Sequence, residues 1–337
     1  MKRISRRRKK SNMTGLYVHI PFCKQKCPYC DFYTVSKFGA IDNQEEYIDR
    51  IIKEIHSYKK GITVDTIYIG GGTPSLLNVH LLDKLLSVVQ EHFNTEIKEV
   101  TVEVNPENTQ YLSDYKSLGI NRISIGVQSL NDENLVQFGR GHNADEALSA
   151  IDRAGKYFDN VSCDLLLYNC SLREDIIRLS NSVSHISMYI LKSAKYKLDD
   201  DKVADFYLEA VDILKERNLV QYEISNFGKK SIHNLKYWHC EEYIGLGSTA
   251  SSLFDGIRYK NSNSLDYKKI IEDENPCGKF EVAMLQLRLT EGIEMDSDIK
   301  VKSELLVKNG FAKMNDNRLI LTPKGFLMQN QIINYLF

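Results

Sequence analysis

Cys23, Cys27 and Cys30 are the residues of this chain whose spacing is best suited to chemistry. They follow the pattern C-x3-C-x2-C and lie within eight residues. Structural zinc normally takes four protein ligands, usually as two C-x2-C pairs, and no fourth Cys or His stands at that spacing. A [4Fe–4S] cluster also usually takes four thiolates. Three leave one iron open to an outside ligand, and an open position is how a metal site keeps room for chemistry. A structural zinc site or three reduced thiols is the plainer alternative.

The elements around these cysteines would place them at the end of a strand. Leu16 to Ile20 is a short apolar run that reads as a strand, and Pro21, which cannot donate to a ladder, ends it. Further strands are expected over 64–69, 99–104, 122–127, 160–167 and 185–191. Helical periodicity falls between them, over 43–58, 76–93, 111–118, 130–138, 144–157 and 172–183. Strands alternating with helices predict parallel β/α units, here an α/β fold with a partial (β/α)6 barrel. In such barrels function gathers at the C-terminal strand ends. The cysteine loop, the Gly70-Gly71-Gly72-Thr73-Pro74 stretch, Glu103, Gln128 and Asp164 all fall there. Glycines at that position would let backbone N–H groups approach a ligand closely.

Past residue 200 the alternation fades. The reading is a barrel over 14–200, an extension over 201–279 that carries His233-Asn234-Leu235-Lys236-Tyr237-Trp238, and a small winged-helix-like α+β module over 280–337. The chain has 337 residues, 42% apolar and 26% charged, with a net charge of −1. No whole-chain field favours nucleic acid or membrane, and the mixed charge of the last module gives no support to specific DNA binding. Residues 2–10 carry seven positive charges; they read as a disordered tail within 1–13, or as an anchor to an anionic surface such as membrane or RNA. No apolar segment follows, so this is not a secretory signal, and no apolar run is long enough to span a bilayer. Seven cysteines with no such signal suggest a cytoplasmic protein with reduced thiols and a metal, not a disulfide framework.

Six segments together carry a resemblance to a known family: Tyr17-Val-His-Ile-Pro-Phe-Cys23, Gly70 to Pro74, Glu103-Val-Asn-Pro106, Ile125-Gly-Val-Gln-Ser129, Tyr222-Glu-Ile-Ser-Asn-Phe227 and His233 to Trp238. From about residue 15 to its end the chain resembles the oxygen-independent coproporphyrinogen III oxidase-like family of radical S-adenosylmethionine (SAM) proteins. The oxidase proper carries a further cysteine two places after the third, where this chain has Phe32. The chain therefore looks like the heme-chaperone branch, and the porphyrinogen dehydrogenase is the alternative.

The resemblance implies a [4Fe–4S] cluster on Cys23, Cys27 and Cys30, with SAM chelating its open iron. It implies that Tyr17 and Tyr29 touch SAM and that Gly71, Gly72 and Thr73 offer it backbone contacts. Glu103 would accept from a donor-rich group of SAM, Gln128 and Arg140 would orient it, and Asp164 would meet its ribose or adenosine. Reductive cleavage of SAM to methionine and a 5′-deoxyadenosyl radical is the superfamily's chemistry. Heme and acceptor hemoproteins are the implied partners, with His233 as a candidate heme ligand and His239 or Cys240 as alternatives. Two places depart from the family pattern. Leu166-Leu167-Tyr168-Asn169-Cys170 stands where Gly-Leu-Pro is usual, and Lys192 and Ser193 stand where an acidic residue is usual.

Overall fold

In the computed structural model, which describes residues 13–36, 43–191 and 195–337, buried apolar and inward polar residues alternate along six parallel strands. They are β1 (Met13–Ile20), β2 (Thr63–Gly71), β3 (Asn94–Val104), β4 (Arg122–Gln128), β5 (Val161–Leu167) and β6 (His185–Ile190), paired in that order. Successive side chains point to opposite faces. One set, including Leu16, Val18, Ile67, Ile69, Val102, Ile123, Ile125 and Leu165, packs with the helices in one large core. The other set faces into the half-barrel and is mostly polar, with Thr66, Tyr68, Thr101, Glu103, Arg122, Ser124, Asp164 and Ser187 among it.

Helices α1 (Gln44–His56), α2 (Val79–His92), α3 (Leu112–Ser117), α4 (Asp132–Gln137), α5 (Ala144–Gly155), α6 (Arg173–Leu179) and α7 (Asp200–Glu216) close the units. Their apolar stripes explain why they lie on the sheet. Ile48, Ile51 and Ile55 of α1 and Leu82, Leu85 and Val89 of α2 are all buried in the main core, each contributing about 1.5–3 kcal/mol. Side-chain caps start several of them. Asn143 and Glu146 form a reciprocal capping box on α5, and Asn78, Asn131 and Asp199 cap α2, α4 and α7.

The sheet does not stop at six strands. β7 (Gln221–Glu223) and β8 (Asn226–Gly228) extend it beyond β6. Beyond β1 it continues through β9 (Tyr243–Leu246), β10 (Ser251–Phe254), β11 (Ile257–Asn261) and β12 (Lys269–Asp273). The order is β12-β11-β10-β9-β1-β2-β3-β4-β5-β6-β8-β7. Only β9 among these additions runs parallel to its barrel neighbour. Between β8 and β9 comes helix α8 (Ile232–Trp238), which holds the His-Asn-Leu-Lys-Tyr-Trp stretch.

Residues near the C-terminus form a small α+β unit with a core of its own, built on Leu287, Ile299, Leu306, Leu319, Phe326 and Ile333. It comprises α9 (Lys279–Gln286), β13 (Ile293–Glu294), α10 (Ser297–Lys308), the β14 (Ala312–Asn315)–β15 (Arg318–Leu321) hairpin, α11 (Pro323–Leu327) and α12 (Gln329–Leu336). Cys240 and Cys277 form a disulfide, with Cα atoms 6.2 Å apart. The expectation of reduced thiols throughout is corrected for this pair. The two are 37 residues apart in sequence and meet because α8 and α9 pack against each other. The other five cysteines are free. The basic segment 2–10 and the Lys192 and Ser193 positions lie outside the described residues.

Candidate functional site

At the C-terminal ends of the six strands lies a cavity of about 460 Å³. Cys23, Cys27 and Cys30 line it, as do Tyr29, Gly71, Gly72, Thr73, Glu103, Gln128, Arg140 and Asp164. Residues from six separate stretches of sequence thus meet at one place. Tyr17 stands behind this lining, with its ring 6.1 Å from that of Tyr68 and its hydroxyl 3.0 Å from His19 Nδ1.

Arg140, in the loop after α4, locks the cysteine loop to the strands. Its Nη2 donates to Asn105 Oδ1 at 2.8 Å and to the Gly126 carbonyl at 2.9 Å. Its Nη1 points at Cys27 Sγ (3.7 Å) and Tyr29 Oη (3.5 Å). Gln25 adds a 2.8 Å bond to the Gly139 carbonyl, and the Tyr29 ring meets Phe138 edge-on. On the other side, Thr73 Oγ1 donates to Cys23 Sγ at 3.5 Å.

The glycine-rich turn does not leave its N–H groups open for a ligand, as the sequence suggests it would. Its N–H groups are already engaged: Gly71 N donates to Glu103 Oε2 (3.1 Å), Gly72 N to the Ile20 carbonyl (2.8 Å) and Thr73 N to the Phe22 carbonyl (2.8 Å). Glycine is needed here for close approach of protein to protein. Gly71 has φ +118, and an added Cβ would lie 2.7 Å from the His19 ring; at Gly72 it would lie 2.8 Å from the Phe22 carbonyl oxygen. The turn therefore stitches β2 to the cysteine loop.

Two carboxylates face the cavity from the strands. Glu103 accepts from Tyr68 Oη at 2.7 Å. Burial, and then the charge of Asp164, push its carboxyl up to about 7. Asp164 is also raised by burial, against hydrogen bonds from Ser187 and Ser124 and the charges of Arg122 and Arg140. Gln128 ends β4 with φ 70, beside a register shift between Ile125 and Gln128. A non-glycine residue held in that region is strained, and such strain collects at functional sites.

The donor set fits an iron–sulfur cluster. Burial pushes the Cys23 and Cys30 thiols up, so a bound metal is what would hold them as thiolates. Among the described residues no three Cys, His, Asp or Glu side chains converge tightly enough to clasp a single ion. A cubane spreads its thiolate ligands wider than one ion does, and three thiols facing a shared cavity suit that demand.

His233 does not join this group. It sits in α8, fully buried below the cavity. Its Nδ1 is 2.9 Å from Thr66 Oγ1 and its Nε2 is 2.7 Å from Tyr237 Oη. Burial first, then Lys236 and Arg122, push it down to about 3, so the ring is neutral. Both nitrogens are occupied by protein. Of the alternatives, Cys240 is taken by the disulfide and is corrected as a ligand, and His239 pairs with Glu291 at 3.2 Å. The α8 N-terminus is seated on Glu99, whose Oε2 accepts from Ile232 N at 2.8 Å and whose Oε1 accepts from His233 N and Ser231 Oγ at 3.1 Å. Lys236 pairs with buried Asp65 at 2.8 Å.

In the Leu166 to Cys170 stretch, which departs from the usual Gly-Leu-Pro, Tyr168 packs on Phe138 and Tyr196, and Leu166 lines the cavity. Sequence reading missed Tyr68, Asn105, Arg122 and Tyr189. The alternation of polar with apolar residues on each strand was the signal that could have found the inward-facing Tyr68, Arg122 and Tyr189.

The radical SAM superfamily model matches residues 17–177. A heme chaperone HemW of Lactococcus lactis is 31% identical, covering 94% of this chain and 95% of its own. One from Buchnera aphidicola (subsp. Acyrthosiphon pisum) is 35% identical, covering 95% of this chain and 97% of its own. The solved structure of the radical SAM enzyme coproporphyrinogen III oxidase HemN from Escherichia coli has the same fold, with a TM-score of 0.79 at 17% identity, over 96% of this chain and 89% of that one.

Proposed function

Because the chain belongs to the HemW heme-chaperone family of radical SAM proteins, we propose that it holds a [4Fe–4S] cluster on Cys23, Cys27 and Cys30, binds SAM beside it, and delivers heme to acceptor hemoproteins. The observation that carries this reading is the meeting of three thiols, two carboxylates and a guanidinium around one cavity. A cluster there supplies single electrons at low potential to a bound sulfonium.

The chain's own residues do the rest. Arg140 and Gln25 hold the cysteine loop against the strand ends. Glu103, with one oxygen on Tyr68 and one on Gly71 N, presents acceptor lone pairs to an ammonium group. Gln128 and Asp164 offer an amide and a carboxylate to ribose hydroxyls or an adenine edge. Tyr29 and Thr73 flank the cysteines in the cavity lining, Thr73 with its hydroxyl on Cys23 Sγ.

The test is anaerobic reconstitution, assayed for iron and sulfide, then titration with SAM and with heme followed by Soret absorbance. Iron and sulfide in the ratio of a [4Fe–4S] cluster, SAM binding and a saturating Soret change are expected. Zinc alone, or no iron, refutes the cluster; a flat heme titration refutes the chaperone role. Both nitrogens of His233 are engaged, so ligation of heme iron by it requires release of Tyr237 or Thr66. A Soret change kept in His233→Ala assigns the iron ligand elsewhere. The alternative, a coproporphyrinogen dehydrogenase, meets Phe32 where that enzyme carries its further cysteine. Reduced protein given SAM and coproporphyrinogen III is expected to yield no protoporphyrinogen IX.

A further inference from the structure

We infer that Tyr68 is a positioning residue for the cavity: its hydroxyl fixes the Glu103 carboxylate, and helix α8 in turn fixes the Tyr68 ring. The inference rests on the reading above that Glu103 faces a cationic group of SAM. Tyr68 points inward from β2 and reaches the cavity lining. Its Oη donates to Glu103 Oε1 at 2.7 Å while Gly71 N donates to Oε2 at 3.1 Å. With both oxygens tied, the plane of the carboxylate is set before any ligand arrives, the condition for productive binding without reorganisation.

The ring that carries this hydroxyl is held between two others. Tyr17 lies 6.1 Å away and His233 5.5 Å away, each inclined by 32°. His233 is itself anchored through Thr66 and Tyr237, and its helix through Glu99. A continuous run of touching groups thus leads from the base of α8 to the carboxylate. Phe would fill the same space within the strand; what Tyr adds is one hydrogen bond to one acid. Burial holds the phenol far above its ordinary value, so it stays a donor at every accessible pH.

The bond favours the charged form of Glu103, as do Gly71 N and Arg122 of β4, whereas burial and Asp164 of β5 oppose it. Tyr17 of β1, Tyr189 of β6 and Tyr237 of α8 also face Glu103 and remain neutral. Removing the Tyr68 hydroxyl leaves the opposing influences in place and one supporting bond fewer.

The experiment is an infrared titration of the full chain between pH 5 and 9, in wild type, Tyr68→Phe and Glu103→Gln, with SAM affinity measured alongside by calorimetry. The carboxyl band absent from Glu103→Gln identifies Glu103. In Tyr68→Phe its midpoint is expected about one pH unit higher than in wild type, with SAM bound about threefold to tenfold more weakly at pH 6.5. A midpoint that does not move overturns the inference. A midpoint that moves in protein whose wild type fails to bind SAM supports the hold of Tyr68 on Glu103 and retires the SAM reading alone.

Discussion

Replacing Arg140 by alanine tests the architecture of the site most directly. The guanidinium makes two short bonds, to Asn105 Oδ1 and to the Gly126 carbonyl, at 2.8 and 2.9 Å. Hydrogen bonds from a charged donor contribute about 1.5–3 kcal/mol each. Losing both, with the carbonyl left half-buried at a strand end, is expected to lower stability by about 3–5 kcal/mol. The longer approaches to Cys27 Sγ and Tyr29 Oη add little energy but set where the cysteine loop rests. Arg140→Ala should therefore unfold at lower urea and retain less iron after anaerobic reconstitution. Arg140→Lys keeps the charge but not the planar fork, and should fall between the two. The assay pairs a urea melt with iron and sulfide analysis on the same preparations. An unchanged midpoint together with full iron in Arg140→Ala would refute the claim that this residue ties the loop to the barrel.

Glu103 predicts a pH effect. Its folded value is raised from 4.5 to about 7, so the native state holds this proton more tightly than the unfolded chain does. That contribution is fully present below about pH 4.5 and is lost as pH rises through about 7, and urea midpoints of Glu103→Gln should lack this decline. The Cys240–Cys277 link closes a 37-residue separation, which in the chain-entropy model stabilises by about 4 kcal/mol; Cys277→Ser should melt accordingly earlier, and equal melting would exclude it. Gln128→Gly relieves a residue at φ 70 and should raise stability by about 1 kcal/mol while weakening SAM binding. Calorimetry and a urea melt on the same variant separate the two effects.

The barrel was legible because its outward face is written mostly in Val, Ile and Leu at every second place, and β1 and β2 end on breakers, Pro21 and Gly71. The cysteine trio was legible for the same local reason. Other features were not. β9 to β12 are short, and β12, Lys269–Asp273, is largely exposed, so it shows no apolar alternation. The pairing of Cys240 with Cys277 depends on two helices packing, which no local pattern encodes. The glycine turn looked like a ligand cradle because spacing cannot say where N–H groups point; here they point at Glu103 and at two carbonyls of the preceding loop. The partners of His233 were not legible either, because an imidazole among aromatics reads alike whether its nitrogens are open or, as here, on Thr66 and Tyr237.

Helix α8 is pinned at both ends. Three donors grip Glu99 at its start, and a covalent link to Cys277 follows two residues past its end. An element so fastened keeps His233 buried, with both of its nitrogens on protein partners. Reduction of the link would remove only the far fastening: Glu99, the buried Lys236–Asp65 pair and the His233 contacts with Thr66 and Tyr237 would still hold the helix.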